Sequence, residues 1–343
     1  MTDNKNHKVV VLGGGSFGTA IANMIASNGY KVCLWLRSES RAQTIRDSRE
    51  NPDYLPGYQL HAAMEVSTDL PKALAGAQTV FFAVPSSAFR QLAKQACPHL
   101  SKDCIIISTA KGIEAQSFML PSEVLEAEIP QCSVGVISGP NLAKEIAKFE
   151  ITATVIASEN TELCERIQQL LGSRYFRVYA NHDRYGVELA GALKNIYAIV
   201  AGIAEAMNAG QNTKAVVLTR SLAEMSRFAV KLGANPLTFL GLSGVGDLYV
   251  TCTSPLSRNF RVGLALGQGK SLEQAVSEVG QVAEGVNTTK LVKEKADDLG
   301  IYMPLASALY ATLFEQRSIT ESLQSMMLAE QNTDVEFMVK AND

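Results

Sequence analysis

Lys194 has the clearest potential for chemistry, because it interrupts a stretch of the chain that is otherwise apolar. It is the only charged residue between Glu188 and Glu205. At helical spacing its neighbours are all very small, namely Ala190, Gly191, Ala198 and Ala201. Small side chains let a ligand or a second backbone approach closely, and burial disfavours a charged ammonium. The pattern therefore favours an acid/base lysine with a lowered pKa. The alternative is a lysine whose stem covers apolar surface while its ammonium reaches water.

A glycine-rich turn further along the chain, residues 242–248, carries a single carboxylate, Asp247. The glycines predict that the turn exposes this carboxylate. Two interpretations remain open: Asp247 caps the short helix that follows, or it pairs with a lysine and orients a substrate hydroxyl.

Ser257, Arg258 and Asn259 come together where the pattern predicts the start of a helix that ends near Gly267. A helix N-terminus offers free backbone amides and the positive end of a dipole, so a cation there is unfavourable unless an anion binds. Together with the guanidinium of Arg258, this start predicts a phosphate site. Ser271 and Gln274 have the spacing of a capping box for the next helix.

A third group of residues lies near the beginning of the chain, where Gly13, Gly15 and Gly18 form the pattern G-x-G-x-x-G. A β-branched run at residues 8–12 precedes it and a helical pattern at residues 19–27 follows it. In this context the first glycine permits a tight turn, the second admits a pyrophosphate, and the third lets helix and strand pack closely. The motif therefore predicts a dinucleotide site.

The end of the second predicted strand, residues 31–36, bears on which dinucleotide binds. NAD sites usually place an acidic residue here to hold the ribose 2′-hydroxyl, whereas this chain has Arg37 followed by Ser38. A cation and a hydroxyl suit a 2′-phosphate, so we expect NADP to be accepted. The alternative is an arginine that is merely solvated.

Two further groups follow predicted strands. Lys111 comes just after the strand at residues 104–108, and Asn141 follows the strand at residues 133–138 as the candidate cap of a helix. Ligands in doubly wound sheets bind beyond the C-terminal ends of strands, which makes both candidates for ligand contacts. For Lys111 a solvated loop charge is the alternative.

The elements that must position these residues alternate in the first half of the chain and turn all-helical in the second. Further strands are predicted at residues 79–84, 104–108, 133–138, 152–157 and 176–179, with helices at 87–96 and 161–171. Alternation predicts an α/β fold with a doubly wound, Rossmann-type, mostly parallel sheet. The helix with Lys194 is predicted over residues 185–210, with Asp183 as its N-cap and Gly210 as its end. We therefore expect a dinucleotide-binding domain at 1–183 and a helical substrate-binding domain at 184–343.

Bulk properties exclude several classes of protein. The 343 residues carry a net charge of −3, which argues against nucleic-acid or anionic-lipid partners. The polar N-terminus predicts no signal peptide, and the absence of a long uncharged apolar run predicts no membrane span. The six cysteines are scattered without metal-ligand spacing. We expect them to be buried, reduced thiols of a cytoplasmic protein that binds no metal.

Taken together, these stretches resemble the bacterial-type NAD(P)-dependent glycerol-3-phosphate dehydrogenases over essentially the whole chain. The resemblance rests on motifs at residues 13–20, 110–114, 138–145, 189–195, 244–248, 257–260 and 282–285. Two positions depart from the family pattern: Phe17 replaces a frequent tryptophan or tyrosine, and Asn141 replaces a common hydroxyl residue.

The resemblance implies reversible hydride transfer between NADPH or NADH and dihydroxyacetone phosphate, giving sn-glycerol 3-phosphate for phospholipid synthesis. It assigns to the cofactor, besides the three glycines, Ser16, Phe17, Arg37, Lys111, Ala143, Arg258, Val282 and Glu284. It assigns to the substrate Lys111, Gly139, Asn141, Lys194, Asp247, Ser257, Arg258 and Asn259. Lys194 is the proton acceptor, and Lys111 is a second cation that lowers the pKa of Lys194. The protein is also expected to form a homodimer.

Two other functions compete with this one. A two-domain dehydrogenase of 3-hydroxy acids would need a carboxylate site where residues 257–259 stand. A non-catalytic NAD(P)H sensor would leave Lys111, Lys194 and Asp247 without a shared role.

Overall fold

The computed structural model describes residues 7–280 and 283–322. The chain forms two compact units, Met1–Glu188 and Leu189–Asp343. The first holds the sheet with its helices, and the second is helical.

The first unit is built on one eight-stranded sheet with the order β3-β2-β1-β4-β5-β6-β7-β8. The strands are β1 Lys8–Leu12, β2 Lys31–Trp35, β3 Glu65–Ser67, β4 Thr79–Phe82, β5 Ile105–Ser108, β6 Ser133–Ser138, β7 Thr152–Ala157 and β8 Phe176–Asn181. Neighbours run parallel except β6 and β7, which pair antiparallel. The predicted doubly wound, mostly parallel sheet is confirmed.

The seven helices of the first unit cover both faces of this sheet. They are α1 Ser16–Ser27, α2 Glu39–Ser48, α3 Leu70–Leu74, α4 Ser86–Ala96, α5 Pro121–Glu128, α6 Ala143–Ala147 and α7 Thr161–Leu171. Alternate residues of β1 enter different cores: Val9 and Val11 pack with α1 and α7, whereas Val10 and Leu12 pack with α4 and α5. This double burial explains why β1 is apolar at every position after Lys8.

Strand β3 was missed by the sequence analysis, and several boundaries moved. β3 has only three residues, with a single aliphatic side chain, so it carries no periodic signal. The helix predicted over 19–27 begins three residues earlier, at Ser16.

The antiparallel direction of β7 has a consequence for the site. It brings the beginning of β7 beside the end of β6, with Ser138 opposite Val155.

The helices that follow are α8 Arg184–Ala206, α9 Gln211–Lys231, α10 Asp247–Thr253, α11 Arg258–Gly267, α12 Leu272–Val279, α13 Glu284–Leu299 and α14 Pro304–Phe314. Short helical turns occupy Cys97–His99, Pro236–Leu240 and Leu242–Gly246. α8 begins in the first unit and continues into the second.

Within the second unit the backbones of α8 and α11 approach each other closely. A Cβ at Gly202 would lie 2.1 Å from the Phe260 carbonyl oxygen, and one at Gly263 would lie 1.9 Å from that of Ile199. The small residues of α8 thus permit a close helix contact.

The predicted limits of α8 are half right. Asp183 caps its start, since the carboxylate accepts from the Gly186 amide at 2.9 Å. The prediction for its end is wrong: α8 stops at Ala206, and Gly210 is instead the N-cap residue of α9. Asn208 takes the left-handed conformation, at φ 54°, and this polar residue provides the break that was assigned to glycine.

Among the described residues, α8 is also the one helix that is long and apolar enough to cross a membrane. In the fold, 78% of its most apolar window is buried, as in the core helix of a soluble protein.

The expectation that all six cysteines are buried is wrong for two of them. Cys97 and Cys132 are partly exposed, whereas Cys33, Cys104, Cys164 and Cys252 are buried. Cys97 directly follows α4 and Cys132 directly precedes β6.

Candidate active site

The glycine loop after β1 has the geometry that the motif predicts. Gly13 has φ 125°, and a Cβ there would lie 2.3 Å from the Ala83 carbonyl oxygen. A Cβ at Gly18 would lie 2.0 Å from the Gly13 carbonyl oxygen, so neither position tolerates a side chain. Gly15 is different, since no described atom lies within 4 Å of its Cβ position. That open face is where a pyrophosphate could approach the backbone.

Helix α1 begins directly on this loop, with Gly15 as its N-cap residue and no described side chain capping it. The first-turn amides of Ser16, Phe17 and Gly18 have no partners within the helix and lie at the positive end of its dipole. The Ser16 hydroxyl donates to the Tyr54 carbonyl oxygen at 2.7 Å. The loop and the bare helix start together fit the diphosphate of a dinucleotide.

Two side chains that brace this loop were missed by the sequence analysis. Asn51, fully buried, donates from Nδ2 to the Gly14 carbonyl oxygen at 3.0 Å and to the Thr19 hydroxyl at 2.8 Å. Arg41 donates from Nη2 to the same carbonyl at 2.8 Å, and its guanidinium lies 4.4 Å from the centre of the Tyr54 ring. No local pattern marks either residue, because both act through a loop far away in sequence.

Arg37 lies exposed two residues beyond the end of β2. Arg41 lies one helical turn later, with its Nε 3.2 Å from the Asp53 carboxylate. The two arginines therefore differ in role: Arg41 is engaged in holding the loop, whereas Arg37 is the cation directed to solvent at this strand end.

Lys111 and Gly139 are brought together by the pairing of β5 with β6, in which Ser108 lies opposite Val136. The Lys111 ammonium donates to the Gly139 carbonyl oxygen at 2.9 Å. Gly139 has φ 134°, which favours glycine there. Because the lysine is tied to the turn after β6, the interpretation of a merely solvated loop charge is wrong.

Asn141 does not cap a helix, contrary to expectation. Leu142 occupies the N-cap position of α6, and the Asn141 amide donates instead to the Thr154 hydroxyl at 2.8 Å. Asn141 Oδ1 and Ser138 Oγ are buried without a hydrogen-bond partner among the described residues. Buried polar atoms of this kind are costly unless a ligand or water pairs with them. Ala143, assigned to the cofactor by resemblance, is the first residue of α6.

Glu188 is a buried carboxylate that positions the end of β5. It accepts from the Ser108 hydroxyl at 2.9 Å and from the Ser122 amide at 3.1 Å. Burial raises the pKa of Glu188 to about 7, although these hydrogen bonds and the charge of Arg184 act in the opposite direction. Because Ser108 lies three residues before Lys111, Glu188 supports the strand end that carries this lysine.

Glu188→Gln is expected to flatten the pH dependence of folding between about pH 5 and 7. The pKa of Glu188 is raised to about 7 in the folded state from 4.5, so between these values the folded state holds a proton that the unfolded chain releases. The free energy of unfolding therefore falls as pH rises, by roughly 2–3 kcal/mol from this group. Urea unfolding at several pH values measures the effect, with the exposed Glu159→Gln as the control. Equal slopes for Glu188→Gln and wild type would contradict it.

Lys194 is buried in the second unit, with 6% of its surface exposed. Its ammonium forms an ion pair with the Asp247 carboxylate and donates to the Thr251 hydroxyl at 2.6 Å. The alternative of an ammonium that reaches water is therefore wrong. The carboxylate stabilises the charged ammonium and opposes the effect of desolvation.

Asp247 is buried rather than exposed, and it does not cap α10, because Gly246 holds the N-cap position. Of the two interpretations, the pairing with a lysine is confirmed. Thr251 was missed; it stands four residues after Asp247 on α10, so both side chains lie on one face of the helix. That spacing is visible in the sequence, but the sequence does not show which residues this face of the helix contacts.

The thiol of Cys252 lies near this cluster. Burial raises the pKa of Cys252 to about 12, with Lys194 acting to lower it and Asp247 to raise it. Cys252 is therefore a neutral thiol at physiological pH and does not compete for the role of nucleophile or base.

The predicted helix start at Arg258 is confirmed, and the three residues there have different tasks. Ser257 caps α11 by accepting from the Phe260 amide at 3.2 Å. Arg258 is exposed as the first residue of the helix. Asn259 is buried, and donates from Nδ2 to Asn195 Oδ1 at 2.9 Å. The exposed Arg258 therefore places a guanidinium at the N-terminal end of α11, where a phosphate site was predicted.

Asn259 also ties the start of α13 to the helix that carries Lys194. Its Oδ1 accepts from the Gly285 amide at 3.0 Å, and a Cβ at Gly285 would lie 2.5 Å from the Asn195 carbonyl oxygen. Glu284 is the first residue of α13, while Val282 lies outside the described residues. Within residues 7–280 and 283–322, no group of three or more histidine, cysteine or acidic side chains could hold a metal ion.

A doubly wound unit with a glycine loop, followed along the chain by a helical unit that buries a lysine–carboxylate–hydroxyl cluster, defines a two-domain, dinucleotide-dependent dehydrogenase. Two family models match the chain: the N-terminus of NAD-dependent glycerol-3-phosphate dehydrogenase over residues 8–164, and its C-terminus over residues 183–324. The chain belongs to the NAD-dependent glycerol-3-phosphate dehydrogenase family.

Individual relatives agree. The chain is 57% identical over 332 residues to glycerol-3-phosphate dehydrogenase (NAD(P)+) of Pseudomonas aeruginosa strain LESB58, covering 96% of this chain and 97% of that protein. It is 55% identical over 329 residues to the protein of that name from Teredinibacter turnerae, covering 96% and 97% of the two chains. The crystal structure of glycerol-3-phosphate dehydrogenase from Coxiella burnetii superposes with a TM-score of 0.90 at 36% identity, covering 94% of this chain and 99% of that one.

Proposed function

We propose that this chain catalyses the reversible, NAD(P)-dependent reduction of dihydroxyacetone phosphate to sn-glycerol 3-phosphate. The observation that carries the proposal is the buried Lys194, held by Asp247 and Thr251, in a chain of this dehydrogenase family. A carboxylate and a hydroxyl that hold a buried ammonium fix its orientation, which suits an acid/base group.

Lys194 moves the proton in both directions of the reaction. In reduction its ammonium donates a proton to the ketone oxygen as that oxygen gains charge. In oxidation the neutral amine accepts the hydroxyl proton. Asp247 holds the Lys194 side chain and balances its charge, and Thr251 fixes the direction of one of its three N–H groups.

The cofactor, when bound, supplies or accepts the hydride. The geometry of the loop at Gly13, Gly15 and Gly18 and of the bare start of α1 supports placing the diphosphate there. Family resemblance extends the proposed cofactor contacts to Ser16, Phe17, Arg37, Lys111, Ala143, Arg258, Val282 and Glu284.

The substrate's phosphate is proposed to bind at the start of α11, where Arg258 adds a guanidinium to the N-terminus of a ten-residue helix. Ser257 and Asn259 shape this helix start. In the first unit, Lys111, Gly139 and Asn141 are proposed substrate contacts, and the unpaired Oδ1 of Asn141 suits a hydroxyl donor.

Turnover with defined substrates tests the proposal. Purified protein is mixed with dihydroxyacetone phosphate and either NADPH or NADH, and loss of absorbance of the reduced cofactor is followed. We expect oxidation with at least one cofactor and negligible oxidation with 3-oxo acids. Preference for a 3-oxo acid would favour the hydroxy-acid dehydrogenase, and cofactor binding without any turnover would favour the sensor.

Arg37→Asp is expected to weaken the binding of NADPH far more than the binding of NADH. A carboxylate at this exposed strand end repels a 2′-phosphate but accepts a hydrogen bond from a 2′-hydroxyl. Dissociation constants of the two cofactors, from titration of nicotinamide fluorescence, measure the ratio. Lys72→Asp, which makes the same charge change at another exposed position of the unit, is the control. An equal change for both cofactors would mean that Arg37 is only a surface charge.

The remaining parts of the proposal concern context and depend on the family resemblance. They are a cytoplasmic location, a homodimeric assembly, supply of glycerol 3-phosphate to phospholipid synthesis, and a division into functional domains at residues 183 and 184. Sedimentation of the purified protein tests the assembly.

A further inference from the structure

Two cysteines, Cys104 and Cys132, lie next to one another at the beginning of two paired strands. Cys104 directly precedes β5 and Cys132 directly precedes β6. The first residues of these parallel strands, Ile105 and Ser133, are register partners. One step back along both strands, the two cysteines therefore stand opposite each other.

This placement satisfies the requirements of a disulfide. Neighbouring strands lie about 4.8 Å apart, and opposite residues of parallel strands direct their side chains to the same face. Cα atoms about 4.4–6.8 Å apart can be joined by a disulfide without backbone movement. Both cysteines pack against the same hydrophobic core, the one that contains Ile106 and Val134, which confirms that they share a face.

Hydrogen bonds tie both cysteines to the same backbone carbonyl. The Ser101 carbonyl oxygen accepts from the Cys104 amide at 3.1 Å and from the Cys132 thiol at 3.3 Å. The Cys104 thiol donates to the Ile105 carbonyl oxygen at 3.6 Å. Cys97 is the other partly exposed cysteine, and its Sγ lies 3.9 Å from Gln131 Oε1.

We propose that Cys104 and Cys132 form a reversible intramolecular disulfide by exchange with an oxidised low-molecular-weight disulfide. Cys132 is the partly exposed member of the pair and makes the first attack, while the buried Cys104 resolves the mixed disulfide. The pair lies at the start of β5 and β6, whereas Lys111 and Gly139 follow their ends, so the site is separate from the proposed catalytic machinery.

Two successive thiol–disulfide exchanges form the bond. The Cys132 thiolate attacks one sulfur of RS–SR, forms a Cys132–S–S–R bond and releases RS⁻. The Cys104 sulfur then attacks the Cys132 sulfur, forms the Cys104–Cys132 bond and releases the second RS⁻, which takes up the Cys104 proton. The protein loses two electrons and RS–SR gains them. Interaction with the neighbouring thiol lowers the pKa of Cys132 and raises the pKa of Cys104, which burial also raises, in keeping with this order of attack.

The disulfide would stabilise the first unit. It closes a loop from residue 104 to residue 132 and so restricts the unfolded chain more than the folded one. A rise of ~5–10 °C in the unfolding temperature of this unit is expected on oxidation, reversed by dithiothreitol.

The test uses the full chain and oxidised glutathione as the probe. After oxidation, free thiols are blocked and the protein is digested with trypsin without reduction. The expected product joins the peptide of residues 103–111 to that of residues 112–144, cleaved at Lys102, Lys111 and Lys144. Cys97 falls in a separate peptide of residues 95–102, so a bond to it would be recognised at once.

Three variants complete the test. Cys104→Ser should leave a glutathione adduct on Cys132 and no cross-link, Cys132→Ser should leave neither, and Cys97→Ser should cross-link like wild type. In the wild type and in each variant, oxidation should raise the unfolding temperature only if the cross-link forms. The proposal is overturned if the 103–111 and 112–144 peptides stay separate under oxidation, if Cys97 is the partner, or if cross-linked protein unfolds at the reduced protein's temperature.

Discussion

Replacing Lys194 with alanine is expected to lower kcat by roughly 10²–10⁴, the usual contribution of one acid/base group. The expectation rests on an ammonium that is buried and held by Asp247 and Thr251. Cofactor affinity should change little, because the residues proposed for the dinucleotide are elsewhere in the sequence. Steady-state kinetics with dihydroxyacetone phosphate and a cofactor titration measure the two effects separately.

The control must account for the partner that Lys194→Ala leaves behind. An unpaired buried carboxylate destabilises a fold by about 3–5 kcal/mol, so Asp247 would also lower activity through misfolding. The double variant Lys194→Ala with Asp247→Asn removes this charge and should fold like wild type while remaining inactive. Lys270→Ala, which breaks the exposed pair with Glu278, should leave kcat unchanged. A kcat within a few-fold of wild type for folded Lys194→Ala would remove this lysine from the mechanism.

Replacing Arg258 with alanine should lower kcat/KM for dihydroxyacetone phosphate by roughly 10- to 200-fold or more. A charge-assisted hydrogen bond to phosphate contributes about 1.5–3 kcal/mol, and each 1.4 kcal/mol corresponds to about tenfold. Arg258 is exposed at the start of α11, where the helix dipole disfavours a cation and favours a bound phosphate. Arg258→Lys should restore only part of the loss, since an ammonium lacks the planar fork of guanidinium.

Unphosphorylated dihydroxyacetone separates phosphate binding from other roles of Arg258. This substrate has no phosphate to lose, so its slow turnover should barely change in the alanine variant. Arg261→Ala removes an exposed arginine from the same helix, one turn later, and should affect neither substrate. Because Arg258 is also a proposed cofactor contact, some rise in the KM for NADPH is compatible with the assignment. Equal losses for the two substrates would mean that Arg258 supports the fold or the cofactor instead.

The features that could be predicted are those whose cause is local. The turn at Gly13, the start of α11 at Ser257 and the capping box at Ser271 each depend on backbone needs within a few residues. The buried strands could be predicted because their runs of apolar residues are longer than composition alone would produce. Strand β3 fell below that limit.

At Asn141 and Asp247 the outcome was decided by competition from residues distant in sequence. Asn141 has the composition of a helix cap, but Thr154 takes its amide because β7 runs antiparallel to β6. Asp247 also looks like a cap, yet the buried ammonium of Lys194 binds it more strongly than a backbone amide would. At the end of α8 the competition was local, since Asn208 adopted the left-handed conformation before Gly210 was reached.

The sequence by itself determined the doubly wound first half, the helical second half, the dinucleotide loop and the candidacy of Lys194, because each is encoded in periodicity or adjacency along the chain. Only the tertiary structure decided which groups hold these residues. Lys194 meets Asp247 across 53 positions and Thr251 across 57, and Asn259 meets Asn195 across 64. The physical reason is that side-chain pairing depends on how helices pack and strands order, and many packings are compatible with one hydrophobic pattern.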